Sequence, residues 1–146
     1  MDNALDFIGY LKNYCKKNNI FFIAGPQDYQ NAVIDKNIYA PYDLILIADL
    51  TFTPNFSDEL GTVVYDGTIG LGRKKEDFTT SSLDETFQQK YDRRLLSLSE
   101  AIVNMFNEMQ CTDDIEVLSW TGSYALNRYD LNADFVVANI SIKVRD

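Results

Sequence analysis

The chain has 146 residues, a formal charge of −9 and no histidine. The length suits one domain with its own core, and 46% hydrophobic with 13% aromatic residues is a globular composition. The acidity argues against general nucleic-acid binding, which leaves a basic footprint, and the missing histidine removes Ser-His and Cys-His nucleophile pairs and histidine metal sites.

The start, MDNALDFIGYLKNYCKKN, is acidic and amphipathic, unlike a secretion signal, and no apolar run approaches transmembrane length. A soluble protein made in a cytoplasm is expected. Residues 3–18 predict a helix, with Leu5, Ile8, Leu11 and Cys15 at helical spacing and Asp2 or Asn3 as cap. IFFIAG (20–25) reads as a short buried strand closed by Gly25-Pro26, and PQDYQNAVID as one or two helical turns. YDLILIADLTFT (42–53) is a strand, followed by a loop from Pro54 to Glu59. LGTVVYDGTIGLGRKK (60–75) mixes β-branched residues with glycines and predicts a bent strand or an arm. A long helix is expected from Leu83 to Gln110, capped by Ser82 with Asp84 and Glu85 in its first turn. Its apolar face runs through Phe87, Tyr91, Leu95, Leu98, Ile102, Met105 or Phe106, and Met109. DIEVLSW (114–120) and ADFVVANISIKV (133–144) are strands joined by a turn-rich TGSYALNRYDLN. Cys15 and Cys111 are too far apart in sequence and too few for a disulfide framework or metal spacing, and read as reduced.

Strands linked directly, with helices between runs, give an α+β domain: a mostly antiparallel sheet of about four to five strands, with the N-terminal helix and the long helix packed on one face. Residues 1–146 form a single domain, with 54–80 a protruding arm or loop.

Little in the sequence forms a catalytic constellation. GSYALNRYDLNADFVV (122–137) spells the opening of a nucleotidyltransferase metal site, a Gly-Ser pair followed by an acid in a strand. That chemistry needs two carboxylates two residues apart, so that the strand's period of two aims both at one metal pair. Here Asp134 is followed by Val136 at the second position, so Asp134 is expected at the mouth of a sheet strand without a metal. DGTIGLGRKK lacks the helix that a phosphate-binding loop requires after its glycines. The adjacent acid pairs at 58–59, 84–85 and 113–114 suit caps and turns rather than acid-base work. No cofactor and no metal are expected. Arg73, Lys74 and Lys75 form the densest basic cluster, either a solvated turn or a contact with an acidic neighbour such as a second copy. Arg93 and Arg94 read as ordinary solvated helix positions, with an inter-subunit ion pair as the alternative. Phe52, Phe56, Tyr65 and Phe78 are aromatics in turn-like contexts, and aromatics dominate interfaces as well as cores.

The layout from GTVVYDGTIGLGRKKE through DETFQQKYDRRLLSLSEAIVNMFNEM to IEVLSWTGSYALNRYDLNADFVVANISIKV resembles the tail terminators, tail-completion proteins and head-tail connector rings of long-tailed bacteriophages. The likeness covers about residues 42–144 and lies in element order, with Lys90, Tyr91 and Leu95, then Asn127 to Asn132, then Asp134 to Val144, as its local features. It implies a non-enzymatic virion protein of the neck or tail, assembled in the host cytoplasm as a ring of six or twelve copies. Its partners would be the portal or adaptor ring and tail proteins, with DNA passing through an acidic lumen and no membrane contact. Candidate subunit-interface residues are Phe56, Tyr65, Arg73, Lys74, Lys75 and Phe78. A cytoplasmic protein-binding or regulatory module, and a degenerate nucleotidyltransferase-like enzyme, stay open as alternatives.

Overall fold

A computed structural model describes residues 3–26, 44–55, 61–73, 86–128 and 133–146. The protein is α+β, as expected. Five strands, β1 (Ile20–Ala24), β2 (Leu44–Pro54), β3 (Thr62–Arg73), β4 (Ile115–Arg128) and β5 (Ala133–Arg145), form one sheet in the order β1-β2-β3-β5-β4. Only β1 and β2 run parallel; every other pair is antiparallel.

The first helix, α1 (Phe7–Lys17), follows a short 3-10 turn over Ala4–Asp6. Asn3 caps the turn by accepting the Leu5 N–H, and Asp6 caps α1 by accepting the Gly9 N–H. The buried stripe is Ala4, Phe7, Leu11 and Cys15. It is rotated from the expected one: Phe7 points inward in place of Ile8, and Leu5 lies out in solvent because the 3-10 turn breaks the α-helical phase before Phe7.

The second helical segment starts later than expected. Its cap is Thr86, not Ser82, in a reciprocal capping box: the Gln89 N–H donates to the Thr86 hydroxyl and the Thr86 N–H to the Gln89 side chain. Helix α2 (Phe87–Lys90) passes through a π-helical turn (Tyr91–Leu95) into α3 (Leu96–Gln110). The hydroxyls of Ser97 and Ser99 donate to the Arg94 and Leu95 carbonyls. From α3 and the turn, Leu95, Leu98, Ile102, Met105, Phe106 and Met109 are buried, which matches the expected face; Phe87 is exposed.

Both helices cover the same side of the sheet. Phe7, Leu11 and Cys15 share one apolar cluster with Leu98, Ile102 and Met105, over Leu46, Ala48, Ile69, Leu71, Val136 and Ala138. The other face has a smaller cluster, Ile23, Ile45, Ile47, Ala133, Phe135 and Val137. This explains the unbroken apolar run in β5: its first six residues are buried on both faces, while Asn139, Lys143 and Arg145 return to alternation.

Two expected features differ. Of the two readings of the glycine-rich run, the strand holds and the arm does not: Thr62–Arg73 is the middle strand, paired along its length with β2 and β5. Val63, Tyr65, Ile69 and Leu71 point to the helices, with Gly67 at the same parity, and Gly70 and Gly72 serve the other side. A side chain at Gly72 would collide with the Phe135 ring, and Gly67 holds a φ of +143° against the Asp49 carbonyl. Residues 56–60 and 74–80 of the expected arm lie outside the described residues, as does the short helix expected in 26–35 beyond Pro26. The turn expected in 121–128 is strand: β4 continues to Arg128 across from β5, with register shifts between Val117 and Ser119 and between Ala125 and Arg128.

Candidate assembly interface

Asp134 does not stand at an open mouth. It is fully buried on the helix side of β5, and Arg94, from the π-helical turn, places a guanidinium nitrogen 2.8 Å from its carboxylate. Arg94 was expected in solvent; it is 2% exposed. The reason is helical phase, since Arg94 lies four residues before Leu98 and eight before Ile102, on the inward stripe. Buried charges persist when paired, and this pair gives each ion its counter-charge. Ser123, the other half of the metal-site spelling, lies in β4 and donates weakly to the Val137 carbonyl (3.5 Å). The Asp134 carboxylate is thus committed to the core.

Of the expected interface residues, Phe56, Lys74, Lys75 and Phe78 lie outside the described residues. Tyr65 is a correction: it is 3% exposed, and its hydroxyl donates to the Ala4 carbonyl at 2.7 Å while its ring packs on Phe7. Desolvation raises its phenol above the ordinary range. Its odd position in β3 turns it to the helices, which sequence context alone had left as a turn. Arg73 is half-buried at the end of β3, directly across from Asp134.

What the sequence reading missed is grouped at the sheet's edges. Among the described residues, five large apolar side chains of the helices and β4 stay exposed, Phe87, Leu96, Val103, Leu118 and Tyr124, and of these Val103 and Tyr124 line the seam between α3 and β4. Phe87 and Tyr91 meet Tyr124 edge-on at 5.4 and 6.5 Å between ring centres. Behind them a groove of about 220 Å³ lies between α3 and β4. Its floor is Gly122, and its walls are Trp120, Tyr124, Ser99 and Val103. Trp120 is held from below by stacking on Phe106 at 5.0 Å. A signal was present: Leu96 and Val103 are seven residues apart and off the core stripe, which marks a second apolar stripe on the same helix.

The other open edge is on β2. Strand β1 pairs only with Leu44–Ala48, and among the described residues no strand covers Asp49–Pro54 on the side away from β3. From this half-edge Phe52 projects 59% exposed, on the helix side, 6.4 Å from Tyr65, and Leu5 is exposed beside Ala4. These are the remaining two of the seven large apolar side chains exposed among the described residues.

The lower end of β4 is closed differently. Gln110, at the end of α3, takes both backbone groups of Val117: its carbonyl accepts the N–H at 3.2 Å, and its amide donates to the C=O at 3.5 Å. A bulge between Val117 and Ser119 follows. Side-chain capping and bulging are how natural edges refuse a further strand. Comparison of the chain with protein-family models, with curated proteins and with solved structures finds no match in any of the three.

Proposed function

We propose that the chain is a structural assembly subunit that joins copies of itself edge to edge into a closed ring. The observation that carries this reading is the pair of unlike open edges. Apolar side chains gather at β4 on one side of the sheet and at the uncovered half of β2 on the other. Unlike surfaces on opposite sides of one molecule associate head to tail, and head-to-tail contacts close into rings when the rotation allows.

The resemblance of residues 42–144 to phage tail terminators and connector rings supplies the biological setting: a virion ring of the neck or tail end, without enzymatic activity, meeting portal or adaptor and tail proteins. The solvated part of the sheet's second face suits a DNA passage. Asp49, Thr51, Asp66, Asn139 and Thr121 lie exposed there, and at one end Lys143 and Arg145 stand beside Glu116; the stretch around Asp49 and Asp66 repels phosphate. Negative-stain electron microscopy of the purified protein over a wide concentration range tests the reading. Rings of uniform diameter are expected. Compact monomers at every concentration, alone and with tail tubes, would contradict it.

A further inference from the structure

We infer that β4 of one copy adds antiparallel to the outer edge of β1 in the next, with Tyr124 opposite Phe22 and Gly122 opposite Ala24. The inference rests on the assembly reading above and names its contact.

Both ladders are open where this contact forms. The Gly25 N–H donates to the Ala48 carbonyl at 2.8 Å, so Gly25 turns toward β2. Backbone direction alternates along a strand, and Phe22 and Ala24 therefore turn their N–H and C=O groups away from β2. Among the described residues no strand lies on that side. At the other end of the sheet, the Arg145 N–H donates to the Asp114 carbonyl just ahead of β4. Odd-numbered residues of β5 thus face β4, and even-numbered ones face β3. Gly122 and Tyr124, paired with Ala138 and Val136, turn their own backbone groups outward. Gln110 closes the same edge only at Val117, on the far side of the bulge.

The two open ladders also stand level. Across the sheet Ala24 is level with Ala48, Ile69, Ala138 and Gly122, and Phe22 with Leu46, Leu71, Val136 and Tyr124. A second copy set beside the first, with no shift along the strands, brings these residues opposite one another. Since β1 is itself the outermost strand, the incoming β4 displaces no described strand of either copy. Asp49–Pro54, with the exposed Phe52, then faces the incoming β4 across the width of one strand.

The side chains agree with this register. Directly opposite antiparallel residues point to the same side of a sheet. Phe22 packs against the helix-side core, and Tyr124 meets Phe87 and Tyr91 on that same side. The contact thus joins a half-buried ring to one that is 45% exposed, as a cross-strand aromatic pair. Neither IFFIA, residues 20–24, nor GSYA, residues 122–125, carries a charge. Two copies at −9 each meet here without setting like charges together.

The helices flanking the seam carry opposite charge. A trough of about 720 Å³ runs between α1 and β1, over Ile20 and Phe22, and its α1 wall bears the exposed Lys12 and Lys16. Asp6, also in this wall, is engaged with the Gly9 N–H. The matching groove between α3 and β4 is walled by Val103 and Ser99. Helix α3 contains no Lys or Arg. Of its two acids, Glu108 turns to Lys17 of its own α1 at 3.9 Å, and Glu100 is exposed between Leu96 and Val103. Strand addition makes one channel of trough and groove. The stems of Lys12 and Lys16 then cover Leu96 and Val103 of the next copy, and their ammonium groups reach Glu100. Strand pairing alone falls short of the ~800 Å² per partner of a standard contact; the helix walls extend it toward that size.

Cysteines at Lys12 and Glu100 test the contact, because both sites are exposed and outside the strands. Lys12→Cys, Glu100→Cys and the double variant are each made with Cys111→Ser. Cys15 is buried and its thiol is pushed up to about 12, so it stays silent. A short bis-maleimide is added to the three proteins, with native mass spectrometry in parallel. The expected result is a ladder of linked copies from the double variant and unlinked chains from both single variants. In the cysteine-free background, Lys12→Glu should weaken association roughly tenfold, and Glu100→Lys in the same chain should restore it. Oligomers whose double variant gives no ladder, or whose single variants link to themselves, would overturn this contact and leave the assembly reading standing. Monomers throughout would overturn both.

Discussion

The two halves of β4 share a strand, a partner and a supporting helix, yet they are finished in opposite ways. From Ile115 to Leu118 the edge is sealed by Gln110, kinked by a bulge and flanked by the Glu116–Arg145 ion pair at 3.3 Å. From Ser119 to Leu126 it is charge-free, carries a glycine and exposes Tyr124 beside an apolar groove. A sheet edge left open by neglect would be open along its length. An edge guarded to a definite residue and then left apolar is an edge arranged to be met.

The largest expected effect strikes beneath both halves alike. Asp134→Ala leaves the Arg94 charge buried without its carboxylate and should cost about 3–5 kcal/mol in urea unfolding. Arg94→Met with Asp134→Leu, which removes both charges, should recover most of that loss. If Asp134→Ala unfolds like the wild type, the buried pair is not what seats the π-helical turn on the sheet. The comparison itself is broken or sharpened by one lysine placed in each half. Tyr124→Lys should weaken association roughly a hundredfold, at about 1 kcal/mol to the monomer for the lost ring contacts. Leu118→Lys should weaken it less than about tenfold. Equal effects in a sedimentation titration would erase the distinction between the halves.

A smaller effect comes from opening the sealed half. Gln110→Ala frees the Val117 backbone and should cost about 1 kcal/mol of stability, while adding slow, irregular association visible by light scattering. The smallest is with pH. Leu50–Pro54 and Ser119–Leu126 contain no Asp, Glu, Lys, Arg, His or Cys, so association through these edges should be flat between about pH 6 and 9. Fold stability should fall only above that. Burial raises the Cys15 thiol from 9.0 to about 12, so its contribution is whole below pH 9 and is lost as pH climbs toward 12. Unfolding titrations at rising pH, with Cys15→Ala showing a shallower decline, check the sign.

The strands and the helical stripe were legible because periods of two and 3.6 survive in local sequence. Leu46 and Ala48, or Leu98, Ile102 and Met109, announce a buried side without any knowledge of partners. What was not legible depends on residues distant in the chain. The glycines of β3 suggested bends, and only Phe135 and Asp49, brought alongside by pairing, explain why they belong in a central strand. Arg94 and Asp134 are forty residues apart, and neither alone discloses the other. Tyr65 and Phe52 looked alike in sequence. One caps the core through Ala4, and the other projects where β1 ends, a distinction set by strand length rather than by either residue. The proposed assembly surface was half visible, in the second stripe of Leu96 and Val103. Its other half, the uncovered edge of β2, required the sheet order.

The most direct test is sedimentation equilibrium of the wild type beside Gly122→Leu. Gly122 lines the groove, and a Cβ there meets the Trp120 ring at 3.2 Å. The account predicts one defined oligomer for the wild type, and a folded monomer for the variant. A wild type that stays monomeric, or a variant that assembles as the wild type does, would contradict it.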